Sequence, residues 1–261
     1  MVLKLGTVAL VALFSLSPPI EQDTAALKRE IEALKAQQAE MQKDLDAIRA
    51  YLQQMIVEKA QAAMVNAPIS VANAPARGAA AARVMMVEVS DYHCPFCRRH
   101  TLATQPQIDT EYINTGKVRY VFVDYPIDQL HPDAFKAHEA ANCAGEQGKY
   151  WEMHLKLFEQ PPPRDGSQLG PLLSQQAQSV GVDAGRFKAC MDSGKYAKPV
   201  KENVERMASL GVDSTPTFLL GLTPPPGQPM KVLKVVRGAV PFAQFKATID
   251  PLLAGETAAT K

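Results

Sequence analysis

A strand running directly into two cysteines one helical turn apart restricts this chain more than any other feature. The apolar run Val84-Met85-Met86-Val87-Glu88-Val89 is followed at once by Ser90-Asp91-Tyr92-His93-Cys94-Pro95-Phe96-Cys97-Arg98-Arg99-His100. A helix opening at Pro95 exposes unpaired N–H groups and the positive end of its dipole, which stabilise a thiolate at Cys94. Pro95 suits that first turn because it has no N–H to leave unbonded and its φ is already helical. Cys97, one turn on, faces the same way and is placed to close a disulfide with Cys94. Cys94 is therefore the expected nucleophile and Cys97 the resolving thiol. Arg98 and Arg99 add positive charge and are expected to face solvent.

Glu88 interrupts the apolar strand six residues before Cys94, on the face shared by Val84 and Met86. Buried beneath the cysteines, its carboxyl would have a raised pKa and would exchange a proton with Cys97. On an edge strand it would keep its head in water. The pattern leaves both readings open.

A second part of the site lies far downstream, in Gly211-Val212-Asp213-Ser214-Thr215-Pro216-Thr217-Phe218-Leu219-Leu220-Gly221. A proline between turn-forming residues and a strand is a place for a cis X–Pro bond. With Cys-Pro-Phe-Cys after a strand, a Glu six residues earlier and Thr-Pro-Thr-Phe near the end, the chain resembles the DsbA-like thiol:disulfide oxidoreductases. Val123-Asp124-Tyr125-Pro126, His131-Pro132-Asp133-Ala134 and Gly148-Lys149-Tyr150-Trp151-Glu152 extend the similarity, which covers roughly Val84 to Leu253. The resemblance implies a thioredoxin fold, a cis Pro216 packed on the cysteine pair, and a client backbone that pairs with Thr215. His93, Pro95 and Phe96, around the first cysteine, complete the expected substrate-binding set, with His93 contacting substrate or solvent beside the cysteine pair. Simple oxidases of the family often carry Val before that proline, whereas isomerase-like and several other branches carry Thr, which leaves the subfamily open.

The remainder of the chain supplies the setting. Residues 1–20 hold one early cation, Lys4, then an apolar run from Leu5 to Leu16, too short to span a bilayer comfortably. They read as a signal peptide or an uncleaved N-terminal anchor, which puts the domain outside the cytosol, in the periplasm or otherwise exported, where disulfide chemistry belongs. In residues 21–60, Leu27, Leu34, Met41, Ile48 and Met55 recur every seven residues, with Ile31, Gln38, Leu45 and Leu52 on the interleaved positions. That is a heptad seam, and the flanking pairs Glu30/Lys35 and Asp44/Arg49 have opposite signs, which favours a parallel in-register coiled coil. A homo-oligomer is expected, a trimer ahead of a dimer by analogy with oligomeric relatives of the family. Residues 61–83, rich in Ala with Pro68, Pro75 and Gly78, read as a linker.

The expected fold is α/β: a thioredoxin domain at 84–253, preceded by the coiled-coil helix and followed by a tail at 254–261. Strand, helix and strand (Val118–Val123) open the domain, and five helices at about 131–210 form a helical insertion before closing strands at Thr217–Leu220 and Lys231–Val236 and a last helix from Pro241 to Leu253. Breaks are expected at Gly145, Pro161-Pro162-Pro163, Gly181 and Gly194. Cys143 and Cys190, inside the insertion, are read as a structural disulfide, with two buried thiols as the alternative. Trp151 and Phe158 read as core with His154 packed beside them, and His131 and His138 as helix-terminal or surface histidines.

The functional reading is an exported oxidoreductase that exchanges disulfides with protein substrates bearing thiols or disulfides. It would act as an oligomeric isomerase or reductase, resembling the suppressor-of-copper-sensitivity C, DsbC and DsbG proteins in logic, with a DsbD-like membrane reductase as redox partner. The alternative is a DsbA-like oxidase served by a DsbB-like membrane oxidase. A reading of another class, a periplasmic metal-binding or holdase protein, would use His93, Cys94, Cys97 and His100 as ligands, but His100 lies a turn past Cys97 and His93 precedes the helix. No metal and no cofactor are expected, and a formal net charge of +1 gives no reason to expect nucleic acid.

Overall fold

The computed structural model describes residues 19–161 and 168–255. The leader reading of residues 1–20 falls almost wholly outside them, as do Pro162, Pro163 and all of the tail after Gly255. The chain divides into two compact units, Met1–Val57 and Glu58–Lys261.

Helix α1 (Pro19–Met64) supplies the described part of the first unit and enters the second. Its length follows from composition: Ala, Leu, Glu, Lys and Gln dominate, with no Gly or Pro after Pro19. It stops where Asn66 takes a left-handed φ of 71° and Pro68 follows. Leu27, Ile31, Leu34, Met41, Leu45, Ile48, Leu52 and Met55 are all exposed. Lys35 and Arg49 here reach Glu32 and Asp46 on their own helix, at 2.9 and 3.5 Å.

The second unit is built on a five-stranded sheet of order β2-β4-β3-β5-β7. Its strands are β2 (Ala76–Arg77), β3 (Val84–Ser90), β4 (Val118–Asp124), β5 (Thr217–Leu222) and β7 (Lys234–Arg237). Central β3 is buried along its whole length, parallel to β4 and antiparallel to β5. Its alternation divides the core: Met85, Val87 and Val89 pack with Met207, Leu219 and Met230, while Val84 and Met86 pack with Tyr112, Phe122 and Phe245. Glu88 and Ser90 point the second way.

After β3 one helical run spans residues 95–113. It comprises α2 (Pro95–Arg99), a π turn (His100–Thr104), α3 (Gln105–Ile108) and a second π turn (Asp109–Ile113). The insertion between β4 and β5 comprises α4 (Ala134–Gly145), α5 (Tyr150–Glu159), α6 (Leu169–Ser179), α7 (Ala184–Ser193) and α8 (Ala197–Ser209). Gly181 and Gly194 adopt left-handed φ at two of its turns. Helix α9 (Phe242–Ala254) closes the fold, and Gly255 caps it.

Residues 61–83 are not a free linker. Strand β1 (Pro68–Ile69) pairs with β6 (Met230–Lys231), β2 covers the outer edge of β4, and Met64, Ile69 and Ala82 are buried. The low charge of this stretch, read as linker composition, is what lets it pack, and β2 satisfies N–H and C=O groups that β4 would otherwise expose.

Candidate active site

Strand β3 delivers Cys94 to the first turn of α2, where Arg98 N–H bonds back to the Cys94 carbonyl at 3.0 Å. Both thiols are unbridged and buried, Cys94 at 5% and Cys97 at 0% exposure. The Thr215–Pro216 peptide is cis, and the Cys94 sulfur lies 3.5 Å from the Thr215 carbonyl oxygen. Two stretches about 120 residues apart in the chain thus meet at one sulfur.

The electrostatics divide the pair. Cys94 is pulled down to about 6, first by the Cys97 thiol that donates to it, with Thr215 and the N–H groups of Cys97 and Phe96 assisting against burial. Cys97 is pushed well above its ordinary value, first by burial and then by the Cys94 and Glu88 charges. At neutral pH one sulfur is an anion near the surface and the other a buried thiol, which is what nucleophilic attack followed by resolution needs.

Glu88 is fully buried, so the solvent-facing edge reading does not apply: β3 is the middle strand. Its Oε2 accepts from the Tyr120 hydroxyl at 2.7 Å and lies 3.5 Å from His100 Nε2. Its Oε1 has no hydrogen-bond partner among the described residues.

Arg98 and Arg99 are exposed, as expected, but their guanidinium groups are engaged by backbone carbonyls. Arg98 Nε donates to the Phe158 carbonyl at 2.8 Å and its guanidinium reaches Glu159 O, so it closes the C-terminal end of α5. Arg99 donates to Ala239 O at 3.1 Å and lies over the Phe96 ring. Phe96 itself is 53% exposed beside Cys94, and Pro95 next to it is also exposed. His93 is only 3% exposed, turned towards His131 with ring centroids 6.4 Å apart, and burial lowers its pKa. Little of it is left to face solvent.

The reason is Asp91, which sequence reasoning passed over. Its buried carboxylate accepts from His93 N–H, Ile127 N–H and His131 Nδ1, each at 2.8 Å, and ties the loop before Cys94 to the loop after β4. A carboxylate directly before the cysteine motif was the available signal. His131 is accordingly buried rather than superficial, and so is His138, whose Nδ1 bonds Asp124 at 2.6 Å. Buried carboxylates at the ends of β3 and β4 draw both histidines inward. His154 packs edge-on against Phe122 and bonds the Tyr92 hydroxyl at 3.1 Å. Cys143 and Cys190 are joined in a disulfide that ties α4 to α7, with Cα atoms 5.8 Å apart.

A protein-family model described as thioredoxin matches residues 70–223. Among curated proteins, the chain is 26% identical over 195 residues to Disulfide bond formation protein D of Bacillus subtilis, covering 72% of this chain and 80% of that protein. It is 34% identical over 145 residues to the Na(+)/H(+) antiporter NhaA 1 of Salinispora arenicola, covering 55% of this chain and 21% of that protein. The chain thus spans about a fifth of the length of the first curated relatives it matches. The crystal structure of oxidised BdbD from Bacillus subtilis superposes with a TM-score of 0.62 at 25% identity, covering 73% of this chain and 98% of that one.

Proposed function

This chain belongs to the thioredoxin family, in its DsbA-like branch, and from that premise we propose that it is an exported thiol:disulfide oxidoreductase acting on protein substrates through Cys94 and Cys97. The observation that carries the proposal is the split pair: a Cys94 thiolate near the surface, beside Thr215 and cis Pro216, over a buried Cys97 thiol. Cys94 attacks a client disulfide and forms a mixed disulfide, Cys97 resolves it, and Glu88 takes up the Cys97 proton. Thr215 and Pro216 dock the client backbone, and exposed Phe96 offers it an apolar contact.

The direction we favour is isomerisation or reduction by several domains on one stalk. The uncovered heptad residues of α1 support a parallel homo-oligomer, because a seam so apolar is stabilised by its own copies. Tyr51 and Ile56, at the positions flanking the seam, are 63% and 67% exposed, and such positions become buried when more than two helices assemble, which supports a trimer. A DsbD-like membrane reductase would keep the cysteines reduced. Disulfide donation is the second reading: a thiolate as stable as Cys94 favours the reduced form and so makes the disulfide a better oxidant, and a relative carries the name disulfide bond formation protein. That direction requires a DsbB-like oxidase.

Refolding of scrambled ribonuclease, run beside oxidation of reduced ribonuclease, tests the proposal. Recovery from the scrambled form supports the isomerase; activity in oxidation alone replaces it with the donor reading. Inactivity in both sinks the oxidoreductase proposal and favours metal binding or holdase action.

A further inference from the structure

A chain of polar groups runs from the part-buried Arg77–Asp109 pair to the fully buried His100 and Glu88. Arg77 pairs with Asp109 at 2.8 Å, Gln105 Nε2 donates to Asp109 Oδ1 at 2.8 Å, and Gln105 Oε1 meets His100 Nε2 at 2.9 Å. Donation to Asp109 fixes which end of the Gln105 amide is the oxygen. That oxygen needs a donor, so Nε2 of His100 carries the proton. His100 is fully buried, and the same Nε2 lies 3.5 Å from Glu88 Oε2. Its alignment with Gln105 comes from the π turn, in which the Gln105 N–H bonds the His100 carbonyl across five residues.

Glu88 is therefore held asymmetrically. Oε2 has the Tyr120 hydroxyl and the His100 N–H beside it, whereas Oε1 is buried without a partner among the described residues. We propose that His100 is a positioning residue for the resolving step: with Tyr120 it anchors one oxygen of Glu88 as carboxylate and leaves the other to take the Cys97 proton. The inference rests on the proton-relay reading of Glu88. In the step, the Cys97 S–H proton moves to Glu88 Oε1 and the Cys97 sulfur attacks the Cys94 sulfur of the mixed disulfide. The Cys94–Cys97 bond forms, the bond to the client breaks, and the client sulfur leaves as a thiolate, so the pair is oxidised and the client reduced. The other charged or titratable groups near Glu88 are Cys97 from α2, Tyr92 from the loop after β3, Tyr120 from β4 and Arg77 from β2.

The test is rapid mixing of the reduced full chain with Ellman's reagent across a pH series. The first chromophore release reports attack by Cys94, and the second reports resolution by Cys97. In His100→Phe, which keeps an aromatic ring against Phe218 and Phe245, the first phase is expected to be unchanged. The second slows about tenfold, a modest share of what acid–base assistance supplies. Its rise with pH moves upward, because a carboxylate that loses a donor holds its proton more tightly. His100→Gln, which restores an N–H, should recover most of the rate. A lower melting temperature with the second phase and its pH profile unmoved means a packing role only and overturns the inference. Glu88→Gln separates the two ideas: if it leaves the second phase intact, the relay reading fails and this inference with it, whereas slowing in Glu88→Gln but not in His100→Phe refutes the role of His100 alone. Should His100→Phe fail to fold, Gln105→Leu leaves the His100 N–H to Glu88 alone, so the second phase should hold or quicken, and a slowed second phase overturns the inference.

Discussion

The Cys94 sulfur sits 3.5 Å from the carbonyl oxygen of Thr215, the residue on the far side of the cis bond to Pro216. With Cys94 at 5% and Thr215 at 8% exposure, only a narrow edge of the sulfur is open, bordered by Phe96 on one side and the Thr215–Pro216 loop on the other. A client must present its disulfide along that edge, next to a backbone able to pair with it.

The Cys97 thiol is the largest single stabiliser of the Cys94 thiolate. In the reduced protein, ultraviolet thiolate absorbance should rise with a midpoint near 6, and Cys97→Ala should move that midpoint towards the ordinary thiol value. Cys97→Ser, which keeps a hydroxyl donor, should move it less. The cystine form has no such titration, so the stability of the reduced protein relative to it should be present at high pH and fall as pH drops from 9 through about 6. An unshifted midpoint in Cys97→Ala would refute the assignment.

Arg98 distinguishes clamp from charge. Its guanidinium is committed to the carbonyls of Phe158 and Glu159. Arg98→Ala should therefore lower unfolding stability by about 1 kcal/mol, the scale of a charge-assisted bond near the surface, while the Cys94 midpoint stays where it is. A large rise in that midpoint with unchanged stability would mean that Arg98 acts through its charge and not as a clamp.

The periodicities carried most of the fold. The hydrophobic run of β3, the glycine stops at 181 and 194 and the helical patterns of the insertion place its elements within a few residues of their observed ends. What escaped was polar and long-range. Asp91, His131, His138 and Tyr120 show no distinguishing pattern in the chain, because each is defined by a partner 14 to 40 residues away. The π turns escaped for a different reason: they shift the helical phase by one residue without a composition signal, and that shift is what brings His100 to Gln105. Strands of two residues, such as β1 and β2, are too short for alternation to be read at all.

Burial holds His154 well below the ordinary histidine value, so the folded protein keeps it neutral while the unfolded chain protonates it near 6.5. A group with a depressed folded pKa is harmless above the unfolded value and favours unfolding below it. Stability should decline as pH falls below about 6.5, by up to ~1.4 kcal/mol per pH unit from this residue. Denaturant titrations at several pH values should show the slope, and His154→Phe should reduce it; an equal slope in the variant would place the acid sensitivity elsewhere.

The Cys143–Cys190 bond closes a separation of 47 residues between α4 and α7. Replacing both cysteines with Ala should cost about 2–4 kcal/mol by freeing the unfolded chain. The Cys94 midpoint should be unaffected, since neither residue is among the groups that set it. A variant as stable as the parent would mean that the insertion is held by packing alone.

Removing residues 21–57 tests the stalk without damaging the domain, because Met64 and strand β1, which belong to its core, are retained. Light scattering should report a monomer. That monomer should keep the thiolate midpoint and both phases with Ellman's reagent, since every group around Cys94 lies beyond the cut. It should lose recovery of scrambled ribonuclease, where one site releases its client before a second can act. Persistence of the oligomer would end the coiled-coil argument. A monomer that still isomerises would keep the stalk but remove its role in catalysis, leaving the exposed seam of Leu27, Leu34, Met41 and Ile48 to serve assembly or placement of the domain rather than its chemistry.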